Sequence, residues 1–183
     1  MLPYIFVLLA IAVRFLPFMG SLNFLPHVWH FTPLAASLLF FGARGSRRHI
    51  WVPVALLMAT DVILTRFLWK YPFTWDTLLI WAWYAAILWL GTGLRGKSGM
   101  WRVVVAAAAS SVSFFVISNF AVWAATLMYP KTLEGLVACY EAAIPFFRNT
   151  ALSDMVFSLA FFAVPALQAM LSERGAGDHP AAA

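Results

Sequence analysis

Val103–Leu127 reads VVVAAAASSVSFFVISNFAVWAATL, 25 residues without one Asp, Glu, Lys or Arg. As a helix it is about 37 Å long at ~1.5 Å per residue, more than the roughly 30 Å hydrocarbon core of a bilayer. Barrel strands would alternate apolar and polar residues, and this run does not. It sets the expected fold class: an all-α integral membrane protein.

Outward from this segment, windows of roughly 19 residues mark five more apolar stretches. They are Leu2–Met19, Val28–Ala43, Ile50–Trp69, Leu78–Leu94 and Leu152–Leu171. The expected architecture is six transmembrane helices in a single domain over residues 1–172, with a flexible tail over 173–183. Composition agrees, since charged residues make up 10% of the chain where a soluble domain carries about 25%. A soluble monomer of 183 residues could not cover its core with so little polar surface. The lone Cys139 rules out a disulfide scaffold and gives no metal-binding pattern.

The net charge of +5 is explained by topology and not by nucleic acid. Arg44, Arg47, Arg48, Arg95, Lys97, Arg102 and Arg174 fall on one set of alternating loops, against Lys70, Lys131 and Arg148 on the other. Cytoplasmic loops collect Lys and Arg, so both termini are expected in the cytoplasm. Trp29, Trp51, Trp69, Trp75 and Trp101 sit at the predicted span ends, as an aromatic belt places them.

Two segments depart from a plain span. Thr32-Pro33 reads as an N-cap followed by Pro at the first helical position. The second helix then begins inside the membrane, about 18 Å long over 12 residues, with Ser21–Phe31 as irregular backbone lining a cavity. In the outer loop Met128–Asn149, Leu133, Leu136, Val137, Tyr140 and Ile144 recur on one helical face. Thr132 as N-cap and Pro145 as stop define an outer amphipathic lid helix.

Ionisable groups inside spans mark function by default. Arg14 costs roughly 2.5–3.5 kcal/mol at mid-bilayer and needs a partner, which Asp61 supplies. The pair is either a buried structural link or faces a substrate cavity. Arg66 can snorkel to the surface near Trp69. Asp154 suits the N-terminus of the sixth helix or a ligand. In the fifth span Ser110, Ser111, Ser113 and Ser118 fit close helix packing, while the Asn119 amide and Trp123 are pocket candidates. His27 and His30 lack a third metal ligand, and no catalytic motif is present. Neither a metal nor a cofactor is expected. The outer half gathers Arg14, Asp61, Asn119, Trp123, Tyr129, Lys131, Glu134, Tyr140, Glu141, Phe147, Arg148, Asn149 and Asp154 beneath the lid. Aromatics with a few convergent polar groups describe a small-molecule site. The cations among them favour a carboxylate- or phosphate-bearing ligand.

MYPKTLEGLVACYEAAIPFFRNTALSD, residues 128–154, resembles the signature of a bacterial membrane family of unknown function catalogued among transport proteins. Arg14-Phe15-Leu16-Pro17, Pro26-His27, Phe31-Thr32-Pro33 and Ser118-Asn119-Phe120 resemble it too, with His30 standing where asparagine is expected. That family is similar to the S-components of energy-coupling factor transporters. The resemblance implies a six-helix protein of the bacterial inner membrane that captures a vitamin-like micronutrient from outside and is not an enzyme. It also implies an ATPase and coupling module as partners, although Ala10 and Ala12 do not form the Ala-x-x-x-Ala docking pattern common in the first helix there. The alternatives are a stand-alone proton-coupled transporter with Asp61 as carrier, and a non-transporting membrane packing or assembly protein.

Overall fold

The computed structural model describes residues 1–18, 32–96 and 99–177, the backbone alone for 166, 169, 170 and 172–177, and is helical without strands there. Ser21–Phe31 with His27, Trp29 and His30, together with Lys97 and the end of the tail, lies outside the described residues. Six helices follow in order: α1 (Leu2–Phe15), α2 (Leu34–Arg44), α3 (Val52–Ile63), α4 (Asp76–Thr92), α5 (Met100–Ala125) and α6 (Leu133–Gly177). A 3₁₀ turn, Leu16–Phe18, extends α1, and a π-helical turn, Leu64–Leu68, extends α3. Two stretches, Arg47–Leu68 and Met100–Ala125, are long and apolar enough to cross a bilayer.

The shortest helix is the most enclosed. Every residue of α2 from Ala35 to Ala43 is buried, because α1, α4, α5 and α6 all pack on it. It starts at Leu34, with Pro33 in the capping position, so Thr32 lies one residue outside the cap the sequence gives it. Phe40 meets Phe6 edge-on at 5.0 Å and Phe162 at 5.2 Å, and Phe6 stacks on Phe161 at 3.8 Å. These rings tie α1, α2 and α6 together.

Against α4, α2 meets backbone to backbone at Gly42 and Gly91. A Cβ on Gly42 would lie 2.9 Å from the Gly91 Cα, and one on Gly91 would lie 2.9 Å from the Leu39 Cα. Small residues at such crossings let dispersion act between main chains.

Arg95 closes the other end of α2. Its Nε donates to the Gly42 carbonyl at 2.9 Å and a terminal nitrogen donates to the Gly45 carbonyl at 3.3 Å, capping carbonyls the helix itself leaves unpaired. Arg95→Met is expected to cost about 1.5–3 kcal/mol, the range for hydrogen bonds to a charged group, seen as a lower midpoint of thermal unfolding. Replacing the exposed Arg44 in the same way leaves the midpoint unchanged.

The lid helix is not a separate element. Pro145 sits inside α6, which runs unbroken from Leu133 to Gly177. A proline inside a helix removes one N–H and costs about 3 kcal/mol. Contacts on both sides of it hold α6 along α5: Tyr140 donates to the Val116 carbonyl at 2.7 Å, Phe147 meets Phe115 at 4.9 Å, and Ser111 donates to Asp154 at 2.6 Å. Thr132 does cap the helix, its Oγ1 accepting from the Gly135 N–H at 3.2 Å. The predicted face is only partly covered. Tyr140 packs on α5 and Leu136 is half-buried, while Leu133, Val137 and Ile144 stay exposed. Cys139 is buried against the Asn119 carbonyl of α5, and Gly135 against the Pro130 main chain.

Candidate functional site

Asp61 ties together three helices. It is 7% exposed, pairs with an Arg14 terminal nitrogen from α1, and accepts from Trp81 Nε1 at 2.9 Å and Tyr84 Oη at 3.4 Å on α4. The pairing read from the sequence is therefore formed, with two further donors the sequence reading did not name. Arg14 Nη1 is buried and has no hydrogen-bond partner among the described residues.

Besides forming this buried link, Arg14 and Asp61 line a cavity of about 450 Å³. Its other walls are Thr32, Leu34 and Ala35 at the start of α2, Thr65 and Trp69 at the end of α3, and Asp76, Thr77, Ile80, Trp83 and Tyr84 from α4. Phe114 of α5 and Thr150 and Asp154 of α6 close it. The π-helical turn places Thr65 and Trp69 here: Trp69 N–H donates to the Leu64 carbonyl at 2.8 Å, one residue further back than in an α-helix. The cavity gathers where α1 and α3 end and α2 and α4 begin. Arg44, Arg47, Arg48 and Arg95 lie at the opposite ends of those helices.

Asp154 departs from its expected capping role. It lies 21 residues beyond the first residue of α6, is 3% exposed, and accepts from Ser111 on one oxygen. The preceding Ser153 donates to the Thr32 carbonyl at 2.9 Å, pinning α6 to the start of α2.

The remaining sequence candidates do not converge here. Asn119 donates to the Phe115 carbonyl of its own helix at 2.7 Å, and with Phe147 it lines a second, smaller cavity of about 180 Å³. The two cavities share Phe114 and Thr150. Lys131 donates to the Trp123 and Thr126 carbonyls at the end of α5 and lies 5.6 Å over the Trp123 ring. Trp123 Nε1 donates to the Pro130 carbonyl at 2.8 Å. These two residues and the Tyr140 hydroxyl stabilise the α5–α6 turn and its packing. Arg148 is exposed, and neither it, Asn149 nor Tyr129 lines the large cavity.

Asp76, Trp83 and Tyr84 were missed. Asp76 opens α4, and Ile80, Trp83 and Tyr84 follow on the same face at four, seven and eight residues, a spacing legible in the sequence. Among the described residues no three His, Cys, Asp or Glu side chains gather as a metal-holding group.

An all-helical bundle with a polar, aromatic-walled cavity at one end is the class these features define. The chain belongs to DUF6580, a family of unknown function, which matches residues 1–174. No curated protein and no solved structure matches it.

Proposed function

We propose that the chain is a six-span protein of the bacterial inner membrane, similar to an energy-coupling factor S-component, that captures a small water-soluble molecule from outside for import. Both termini face the cytoplasm, and a coupling module with an ATPase is the expected partner. One observation carries this: a cavity of about 450 Å³ joins charged groups and aromatic walls inside an otherwise apolar bundle. That volume lies in the range of small-molecule pockets, about 300–1,000 Å³.

The membrane setting draws support from the surface. Leu8, Phe67, Trp89, Val112, Val116, Leu152 and Val156 are all exposed, as apolar side chains turned toward lipid are. Trp51, Trp69, Trp75 and Trp101 are exposed at helix ends. Because protein surrounds α2, its 11 residues need not face lipid, so a helix shorter than the bilayer is tolerated. The basic loops opposite the cavity support an outward-facing cavity by the positive-inside rule.

The proton-carrier alternative at Asp61 draws less support, since Arg14, Trp81 and Tyr84 already hold that carboxylate. A packing protein has no use for buried carboxylates around a void.

Native mass spectrometry of the gently purified full chain tests the binding role. A small molecule retained from cells in at least one growth medium is the expected result. An empty protein from every medium contradicts it.

A further inference from the structure

Building on that binding role, we infer that the ligand is a small organic cation, a protonated amine carried on a flat apolar body. Two of the three cations that point the sequence toward an anionic ligand are not in the cavity: Lys131 caps α5 and Arg148 is exposed elsewhere, while the third, Arg14, lines it. The cavity's own charge comes from Arg14, Asp61, Asp76 and Asp154. Arg14 is matched by Asp61. That leaves two carboxylates with no ion pair among the described residues.

Both carboxylates have free acceptor capacity. Asp154 is 3% exposed, takes one hydrogen bond from Ser111 on Oδ2, and accepts none on Oδ1 among the described residues. Asp76 Oδ1 is buried and has no partner among the described residues. A buried carboxylate oxygen left unpaired is costly, and an ammonium group, with three donors and a positive charge, satisfies both needs at once. An anion would instead meet two like charges in a low-dielectric setting.

The walls fit the same chemistry. Trp69, Trp83, Tyr84 and Phe114 line the cavity, and the faces of such rings attract cations within about 6 Å. Trp83 is fixed on two sides, by its Nε1 donating to Ser113 Oγ at 2.9 Å and by its ring meeting Phe114 at 4.9 Å. An apolar ligand body would meet fixed aromatic walls there.

Three isosteres of different charge test this against the purified full chain in detergent: phenethylamine, phenethyl alcohol and phenylacetate, by isothermal titration calorimetry. Phenethylamine is expected to bind at least tenfold tighter than the alcohol, with phenylacetate weakest. Asp154→Asn should lower amine affinity at least tenfold and leave the alcohol unchanged. Asp76→Asn gives an independent variant with the same expected direction should Asp154→Asn fail to fold. Phenylacetate binding as tightly as the amine, or either folded variant keeping full amine affinity, overturns the inference. If no isostere binds, the retained molecule decides: a cation supports the inference, and a neutral or anionic one overturns it while the binding role stands. If nothing is retained either, the binding role itself has failed.

Discussion

Asp61→Ala is expected to lower stability by about 3–5 kcal/mol, the cost of leaving one partner of a buried ion pair uncompensated. The loss goes beyond the Arg14 pair, because Trp81 Nε1 and Tyr84 Oη also lose their acceptor. Helices α1, α3 and α4 come apart from one another at that point. The measurement is the thermal midpoint of the purified protein, with the double variant Arg14→Met/Asp61→Leu alongside. Removing both charges leaves no orphaned guanidinium, so the double variant should recover most of what Asp61→Ala loses. A single variant as stable as the parent would mean that the pair sits in a well-solvated place, which its burial argues against.

Gly42→Val carries the second large effect. Even a methyl group there would lie 2.9 Å from the Gly91 Cα, and backbone cannot rotate away as a side chain can. The two helices must separate, and Phe40, Phe41, Leu38 and Leu39, all at most 1% exposed, lose their close packing. Overpacking ordinarily costs about 1–3 kcal/mol, and a clash against main chain falls at or above the top of that range. Gly99→Ala is the control, since a Cβ there meets nothing within 4 Å. A lowered midpoint for Gly42→Val with an unchanged one for Gly99→Ala is the expected pattern.

How far the sequence foretold this molecule depended on the kind of signal. Arg14 and Asp61 were legible as a pair because each is an isolated charge in a long apolar run, and only a partner makes such a charge tolerable. The six apolar stretches were legible as helices from their length, but the lid was not legible as the first part of α6. Pro145 misled because a local rule, that proline ends helices, was outweighed by contacts to α5 that no local pattern reveals. Asp154 was misread for the same reason: with the helix start placed near it, a capping role followed, and the start moved to Leu133. Lys131, Trp123 and Tyr140 were placed in the site on residue type, yet each has its polar group taken up by main-chain carbonyls of the α5–α6 hairpin. Asp76 was overlooked because at a loop boundary it resembles an ordinary solvated charge. The residue is half-buried, and its Oδ1 is closed off by tertiary packing around the cavity.

Cysteine accessibility in intact cells tests the central claim most directly, that the cavity opens to the outside while the basic loops stay inside. In a Cys139→Ser background, Thr77→Cys marks the cavity and Ser46→Cys marks the opposite end. A membrane-impermeant maleimide is expected to label Thr77→Cys in intact cells, and Ser46→Cys only after permeabilisation. Labelling of Ser46→Cys in intact cells, with Thr77→Cys protected until the membrane is opened, would contradict it.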